Sequence, residues 1–340
     1  MKRSALFSCV ALGALATGAG TLATDYGTAR GLRVSADLDI ELEITSFEFK
    51  IDDNPVGSPD MNATAASLSR RADVLDRVLA GEGSTPTLVR RTFAELHEDN
   101  ESTRGEEVLS DEGAGALEGV TVELERDEDG EVSWKVVEGD ASDELLEGQS
   151  LALDLDAFLP EEGVEQGETW DLDQAAVERG LALVLDRRLF DPAHASEESD
   201  AEGGRRGGGR VGLGRSLARL QWEGEVTLAE AETEREGVEC ARLHVKLESE
   251  GTLRDPSLKG RKKLFDPEPA AAAVEGTMRA RLEGDLWFAL EARRPLALEL
   301  EGELSMDYHF EGERDGRHYS SKSAQSGPWT VNITVEEEDG

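Results

Sequence analysis

The residues of this chain best suited to acid–base or metal chemistry are its five histidines: His97, His194, His244, His309 and His318. No two of them have the close spacing of a zinc motif such as H-E-x-x-H. Asp307 lies near His309 and His318 in sequence, so these three side chains could converge across a turn, although nothing in the sequence fixes their geometry. The chain has no G-x-S-x-G elbow and no phosphate-binding glycine loop. We predict no enzymatic activity, no catalytic residue and no cofactor; a hydrolase with an unidentified site is the third interpretation.

One acidic segment has part of the spacing of a calcium-binding loop. Asp127, Asp129 and Glu131 stand at the first, third and fifth positions of such a loop. Gly130 then occupies position four, whereas the calcium loop has its glycine at position six, and no bidentate glutamate follows at the required distance. Because apolar residues alternate on both sides of the segment, a β-hairpin turn is the better interpretation. We predict no metal site.

The elements that would have to position any such residues are mainly β-strands. Apolar and charged residues alternate between Val274 and Phe310, and a period of two over this length is typical of strands with one buried face. Pro295 cannot donate to a central ladder, so we place the break between two strands there. A loop centred on Arg293 would pair Gly284 with Gly302, whereas a slip of two residues would separate them.

Glycines interrupt the apolar stripes of several predicted strands: Gly224, Gly251, Gly276, Gly284 and Gly302. A glycine inside a strand marks a bend or a close approach, and strands this long must coil to stay within a compact domain. The segment from Arg33 to Ile51 is another long strand, with a β-bulge near Thr45 and Ser46. We therefore predict a β-dominated α+β fold: a long-stranded, strongly curved, half-barrel-like antiparallel sheet with one or two packed helices.

Two segments have helical signals. Apolar residues recur at helical spacing between Ala65 and Ala80, which predicts an amphipathic helix. Asp173 is suited to cap the N-terminus of a second helix from Gln174 to Arg188.

Composition divides the chain into four parts. A positive start, an apolar stretch and small residues before position 24 predict a secretory signal peptide cleaved after Ala23. The segment rich in glycine and arginine is expected to be a flexible loop or linker. The halves on either side of it may belong to one sheet. The predicted parts are the signal peptide (1–23), an N-terminal half of sheet and helices (24–190), the Gly/Arg-rich segment (191–217) and a C-terminal antiparallel meander (218–340).

Charge and cysteine content restrict the partners and the location. The formal net charge is −38 at pH 7, which argues against electrostatic binding to nucleic acid or to anionic membranes. Cys240 is the one cysteine outside the predicted signal peptide, so we expect no internal disulfide. We predict an exported protein, periplasmic or extracellular, with no transmembrane segment in the mature chain.

Three parts of the chain carry a family resemblance: Arg71–Asp76 with Arg90–Phe93, Leu159–Pro160 with Gly167–Trp170, and Leu286–Phe288 with Arg294–Leu296. Together they are similar to uncharacterised exported proteins and lipoproteins of planctomycete-like bacteria. That family has no assigned activity, so the resemblance implies no site residues. The chain departs from the lipoprotein members because Cys9 follows too short an apolar segment to form a lipobox. More distantly, the predicted half-barrel resembles periplasmic lipoprotein carriers, in fold alone.

The function we expect is non-enzymatic binding of a lipid or other apolar ligand in the concave face of the sheet. The long apolar stripes and glycine bends predict more concave apolar surface than two helices cover. The alternative is an envelope structural or protein-interaction module with a filled core and an envelope protein as its partner. An unfilled apolar cavity of about 300 Å³ or more would favour the ligand. The sequence does not indicate which residues bind it.

Overall fold

The structure is a computed structural model that describes residues 22–27, 31–56, 64–104, 107–190, 213–254, 273–314 and 316–338. Most of the predicted signal peptide and residues 191–212 of the Gly/Arg-rich segment lie outside these ranges. Among the described residues, no helix is both long and apolar enough to cross a membrane.

The described strands form one open antiparallel sheet, which confirms the predicted β-dominated fold. Its spatial order is β7-β6-β4-β3-β1-β13-β12-β11-β10-β9-β8, with β2 paired to β1 and β5 paired to β4. Because β1 pairs with β13, the two halves of the chain contribute to the same sheet. The strands are β1 (Gly31–Ile51), β2 (Asn54–Pro55), β3 (Thr64–Glu82), β4 (Thr85–Arg104), β5 (Glu107–Ala114), β6 (Thr121–Arg126), β7 (Val132–Glu138), β8 (Thr169–Leu172), β9 (Gln221–Arg235), β10 (Val238–Arg254), β11 (Ala273–Ala289), β12 (Arg294–Arg314) and β13 (Arg317–Glu338).

The predicted hairpin is present as β11 and β12, and of the two registers considered it has the one slipped by two residues. Gly284 pairs with Leu300, and Gly302 pairs with Leu282. The turn lies earlier than expected, and the register shifts between Trp287 and Phe288 just before it, so the two glycines do not face each other. The predicted β-bulge in β1 is confirmed, because the register with β13 shifts between Ile44 and Ser46.

The sheet is strongly curved. Strands β9 and β13 are four steps apart, which is about 19 Å in a flat sheet. The rings of Trp222 on β9 and Trp329 on β13 nevertheless meet with centroids 5.7 Å apart. Glycine permits this bending, since a Cβ at Gly284 would lie 1.8 Å from the carbonyl oxygen of Glu299, and one at Gly302 would lie 1.8 Å from that of Arg281.

The predicted helix between Ala65 and Ala80 is wrong, because this segment is strand β3. Its even-numbered residues face the core, as expected of a strand, but two of them, Arg70 and Asp76, are charged and buried. These two charges conceal the period of two in the sequence. The structure accommodates them because each has a partner of opposite charge on β4.

The second predicted helix is divided into three short ones. Asp173 caps the first by accepting a hydrogen bond from the Ala176 amide at 2.8 Å, as predicted. A further helix, α5, lies within the segment expected to be flexible, which corrects that expectation for its last residues. The short helices are α1 (Asp143–Leu146), α2 (Gln174–Gly180), α3 (Ala182–Leu185), α4 (Arg187–Phe190) and α5 (Leu213–Leu217), with a 3-10 helix over Asp154–Phe158.

These short helices form an inner layer that fills the middle of the concave face. Helix α2 packs on the 3-10 helix and on β9, α3 lies on β1 and β3, and α5 lies on β3. The buried side chains of sheet and helices form one continuous hydrophobic core. The concave sheet face is therefore covered along these strands.

We expect Gly302→Ala to destabilise the protein, because its new methyl group would collide with backbone that cannot move without disturbing the sheet. Overpacking of this kind typically costs about 1–3 kcal/mol or more. Gly113→Ala on β5 is the matched control, since a Cβ there would meet nothing within 4 Å. Urea unfolding should show a lower free energy of unfolding for Gly302→Ala alone; equal stabilities would contradict the close-approach account.

Candidate functional site

A buried arginine connects the sheet to the inner layer. The Arg70 side chain is fully buried, and its guanidinium lies 2.7 Å from an oxygen of Glu98. Its Nη1 donates to the carbonyl oxygen of Val184 at 2.8 Å, and its charge lies 4.8 Å above the ring of Phe190. Burial lowers the pKa of Arg70, and the charge of Glu98 opposes that shift. One side chain thus holds β3, β4, α3 and α4 together.

A second buried charge pair lies on the same strands. Arg91 on β4 donates from Nε and Nη2 to the two carboxylate oxygens of Asp76 at 2.8 and 2.6 Å. Its third nitrogen, Nη1, donates to the side-chain carbonyl of Gln149 at 3.0 Å. Fork-shaped pairing of this kind is strong and directional. It fixes the segment around Gln149 against the sheet.

Residues 22–27, the first described segment, pack beside these buried charges and bind the 3-10 helix through Asp156. Thr24 donates to Asp156 at 2.5 Å, and Tyr26 donates to the other oxygen of the same carboxylate. The Tyr26 oxygen also accepts from the Leu153 amide at 2.6 Å. Burial, reinforced by the negative charge of Asp156, raises the pKa of Tyr26. Leu22 is buried along with Thr24, so both sides of the predicted cleavage position are packed into the fold; cleavage there stays a prediction.

Asp154 lies near Asp76, Arg91 and Asp156 and also lines a cavity. Burial, together with the negative charges of Asp76 and Asp156, raises the pKa of Asp154 to about 7. The positive charges of Arg91 and Arg179 oppose the shift. Asp154 therefore exchanges its proton near neutral pH, a property that occurs often at functional sites.

The cavity beside Asp154 has a volume of about 570 Å³ and lies in the inner layer. We name it the helical pocket. It is bounded by the segment 148–154, by α2 to α4, and by residues 217–222. Its size falls within the range typical of small-molecule sites. Its larger apolar lining residues are Leu183, Leu185, Leu189, Leu217, Leu220 and Trp222.

The charges in the helical pocket are not equally available to a ligand. Arg188 is held by Asp186 at 2.7 Å and also donates to the carbonyl oxygen of Glu147 at 2.8 Å. Arg179 is exposed, and no described residue forms a hydrogen bond or ion pair with its guanidinium. It acts on the cluster only through its charge, which lowers the pKa of Asp154 and of Asp156.

Asp307, His309 and His318 do not form a site. Asp307 and His309 line a separate hollow of about 590 Å³. His309 lies 3.1 Å from Glu311 on its own strand. It pairs with Lys322, so His318 lies four residues away along β13, about 13 Å.

The remaining candidate residues that the structure describes form ion-pair contacts or a turn. His97 lies 3.4 Å from Glu112, and His244 lies between Glu283 and Asp285 on a polar strand face; His194 is outside the described residues. Asp127 forms the predicted hairpin turn by accepting from the amides of residues 129 and 131, both at 2.9 Å. In the described part of the chain, no group of three or more His, Cys, Asp or Glu residues could hold a metal ion.

Two larger hollows are less suited to an apolar ligand. One of about 890 Å³ spans β9 to β12, and both of its arginines already pair with glutamates, as Arg281 does with Glu248 at 2.9 Å. Another of about 600 Å³ lies against β8 to β10 and is lined mainly by charged residues. The helical pocket differs from both because leucines form much of its wall.

Sequence reasoning missed the helical pocket and its charged residues. Asp154 and Arg179 have no motif, and chains this acidic contain many similar aspartates. The one usable signal was the pair of charged residues, Arg70 and Asp76, in the even-numbered phase of β3. Buried charges at core positions indicate partners, and here the partners of Asp76 lead to the pocket.

No protein-family model matches the chain, and no curated protein is significantly similar to it. The resemblance to exported planctomycete-like proteins stays a prediction.

We expect the Asp154→Asn variant to gain stability relative to the wild type as pH rises from 4 to 8. Folded Asp154 keeps its proton to a pH of about 7, whereas the unfolded chain loses it near 3.8, so the folded state binds the extra proton between these values. Wild-type stability therefore falls across this interval, by up to about 4 kcal/mol relative to Asp154→Asn. Urea unfolding of both proteins at several pH values measures this; a pH-independent difference would contradict the burial of the charge.

Proposed function

We propose that this is an exported, non-enzymatic binding protein that holds a lipid or other apolar small molecule in the helical pocket. The observation that carries the proposal is the cavity of about 570 Å³, in which five leucines and Trp222 supply an apolar part of the lining. The expected location was the concave face of the sheet. Short helices cover that face, so the proposed ligand lies within the layer that covers it.

The size and lining of the pocket support binding over a purely structural role. Well-packed interiors have few voids larger than a water molecule, whereas ligand sites are concave, mostly apolar and contain a few placed polar groups. The helical pocket combines its leucines and Trp222 with polar and charged side chains. These are Gln149, Ser150, Asp154, Glu178, Arg179, Asp186, Arg187 and Arg188. The separation of Asp307, His309 and His318 leaves no assembled catalytic group among them to support the hydrolase interpretation.

The net charge of −38 supports a small molecule as the partner. A surface this acidic is repelled by nucleic acid and by anionic membranes. Export to the periplasm or the extracellular space stays part of the proposal.

A second candidate function, an envelope interaction module, is favoured by the far ends of the long strands. In the described part of the chain, pairing of β1 with β3 ends at Leu42 and Ala66. Beyond that point Phe47 and Phe49 are only half-buried, and the ring of Phe49 lies 6.4 Å from that of Tyr319. A half-exposed apolar strip of this kind is typical of contact surfaces.

A neutral fluorescent probe such as N-phenyl-1-naphthylamine should bind the wild-type protein with increased emission. Ala218→Trp should weaken binding at least about tenfold, because Ala218 is exposed within the pocket and an indole there would occupy the space of the ligand. Ala65→Trp, at an exposed position on β3, is the matched control.

Equal binding by the wild type and both variants would show that the probe binds outside the helical pocket, which would contradict the proposed site. Absence of binding by the wild type would contradict the proposed function and favour the interaction module.

A further inference from the structure

The lining of the helical pocket differs between its sides. Polar groups come from the segment 148–154 and from α2, and the larger apolar side chains come from α3, Leu189 and residues 217–222. Asp186, Arg187 and Arg188 are further charged residues of the lining. A molecule that fills such a pocket needs one polar end and one apolar end, because unpaired buried polar groups are costly. This arrangement restricts the class of ligand.

The polar side offers hydrogen-bond donors. The carbonyl of Gln149 already accepts from Arg91, which leaves its amide group to donate. The Ser150 oxygen accepts from the Ala152 amide at 3.2 Å, so its hydroxyl hydrogen is available. Arg179 adds a guanidinium that no described residue binds. Donors of this kind match a head group with several acceptor oxygens.

The arginines near the pocket differ in whether they are free to bind an anionic ligand. Arg91 is paired with Asp76 through two nitrogen–oxygen contacts, and Arg188 is paired with Asp186 through three. Arg179 on α2 instead projects its charge toward Asp154 and Asp156 without a direct bond. An anionic group placed beside it would therefore displace water and would break no existing ion pair.

We propose that the ligand is amphipathic and that its carboxylate or phosphate head binds Arg179, with Gln149 and Ser150 as further donors, while its chain lies along Leu217, Leu220 and Trp222. This inference rests on the proposed function, because it assigns the ligand class of the same pocket. Arg179 acts as a binding residue.

Asp154 makes this binding depend on pH. The charged groups that face it are Arg91, Arg179, Asp76 and Asp156, and Glu178 lies on the same pocket wall. When Asp154 loses its proton, its charge repels an anionic head and competes for Arg179. Affinity for the anion therefore rises as pH falls from 8 to 6, while affinity for an uncharged ligand stays constant.

The test is displacement of the neutral probe by dodecanoate, dodecyl phosphate and 1-dodecanol. We expect the wild type to bind at least one anion about tenfold or more tightly than the alcohol, since hydrogen bonds to charged groups are the stronger ones. The tighter of the two anions identifies the head group. Arg179→Gln should remove the preference and leave alcohol binding unchanged, and Arg179→Lys should restore part of it.

Arg281→Gln is the control, because Arg281 is an exposed arginine on β11, paired with Glu248 outside the helical pocket. Asp154→Asn should abolish the dependence of dodecanoate affinity on pH; dodecanoate is used for this test because a phosphate monoester itself titrates at about pH 6. Equal affinity for anions and alcohol, or equal loss of both in Arg179→Gln, would overturn the head-group assignment and leave the proposed function standing. Absence of probe and ligand binding in the wild type would overturn both.

Discussion

The ion pair between Asp76 and Arg91 is the interaction on which the candidate site depends. Both side chains are almost completely buried, and removing one partner of such a pair typically costs about 3–5 kcal/mol, because the other charge is left uncompensated. Arg91 also holds Gln149 in place and partly offsets the charge of Asp154. Loss of this pair would therefore disturb the sheet, the segment beside the pocket and the proton affinity of Asp154 together.

The curvature of the sheet explains why an inner layer exists. Close backbone approaches at Gly284 and Gly302 bend the long strands until Trp222 meets Trp329 across four strand steps. A face bent this far needs apolar cover, and a single long helix would span only part of it. Short helices follow the curve instead. Gly180, where α2 ends, lies so close to the ring of Phe158 that a Cβ there would be 2.5 Å from it.

The sequence predicted much of the sheet and little of the site. Alternation is a local property, so the long strands, the bulge near Ser46 and the turn at Asp127 could be predicted from neighbouring residues. Strand β3 was mistaken for a helix because Arg70 and Asp76 occupy core positions, and their partners Glu98 and Arg91 are distant in sequence. The helical pocket depends on the packing of short segments far apart in the chain. No local pattern indicates that Asp154 and Arg179 lie near each other.

The central claim is that the inner layer encloses a molecule that the protein carries. Native mass spectrometry of the protein purified from its own host tests this most directly. The account predicts a species heavier than the polypeptide alone, with the added mass released by organic solvent and identified as an anionic amphiphile. A single mass equal to that of the polypeptide, unchanged by incubation with such amphiphiles, would contradict it.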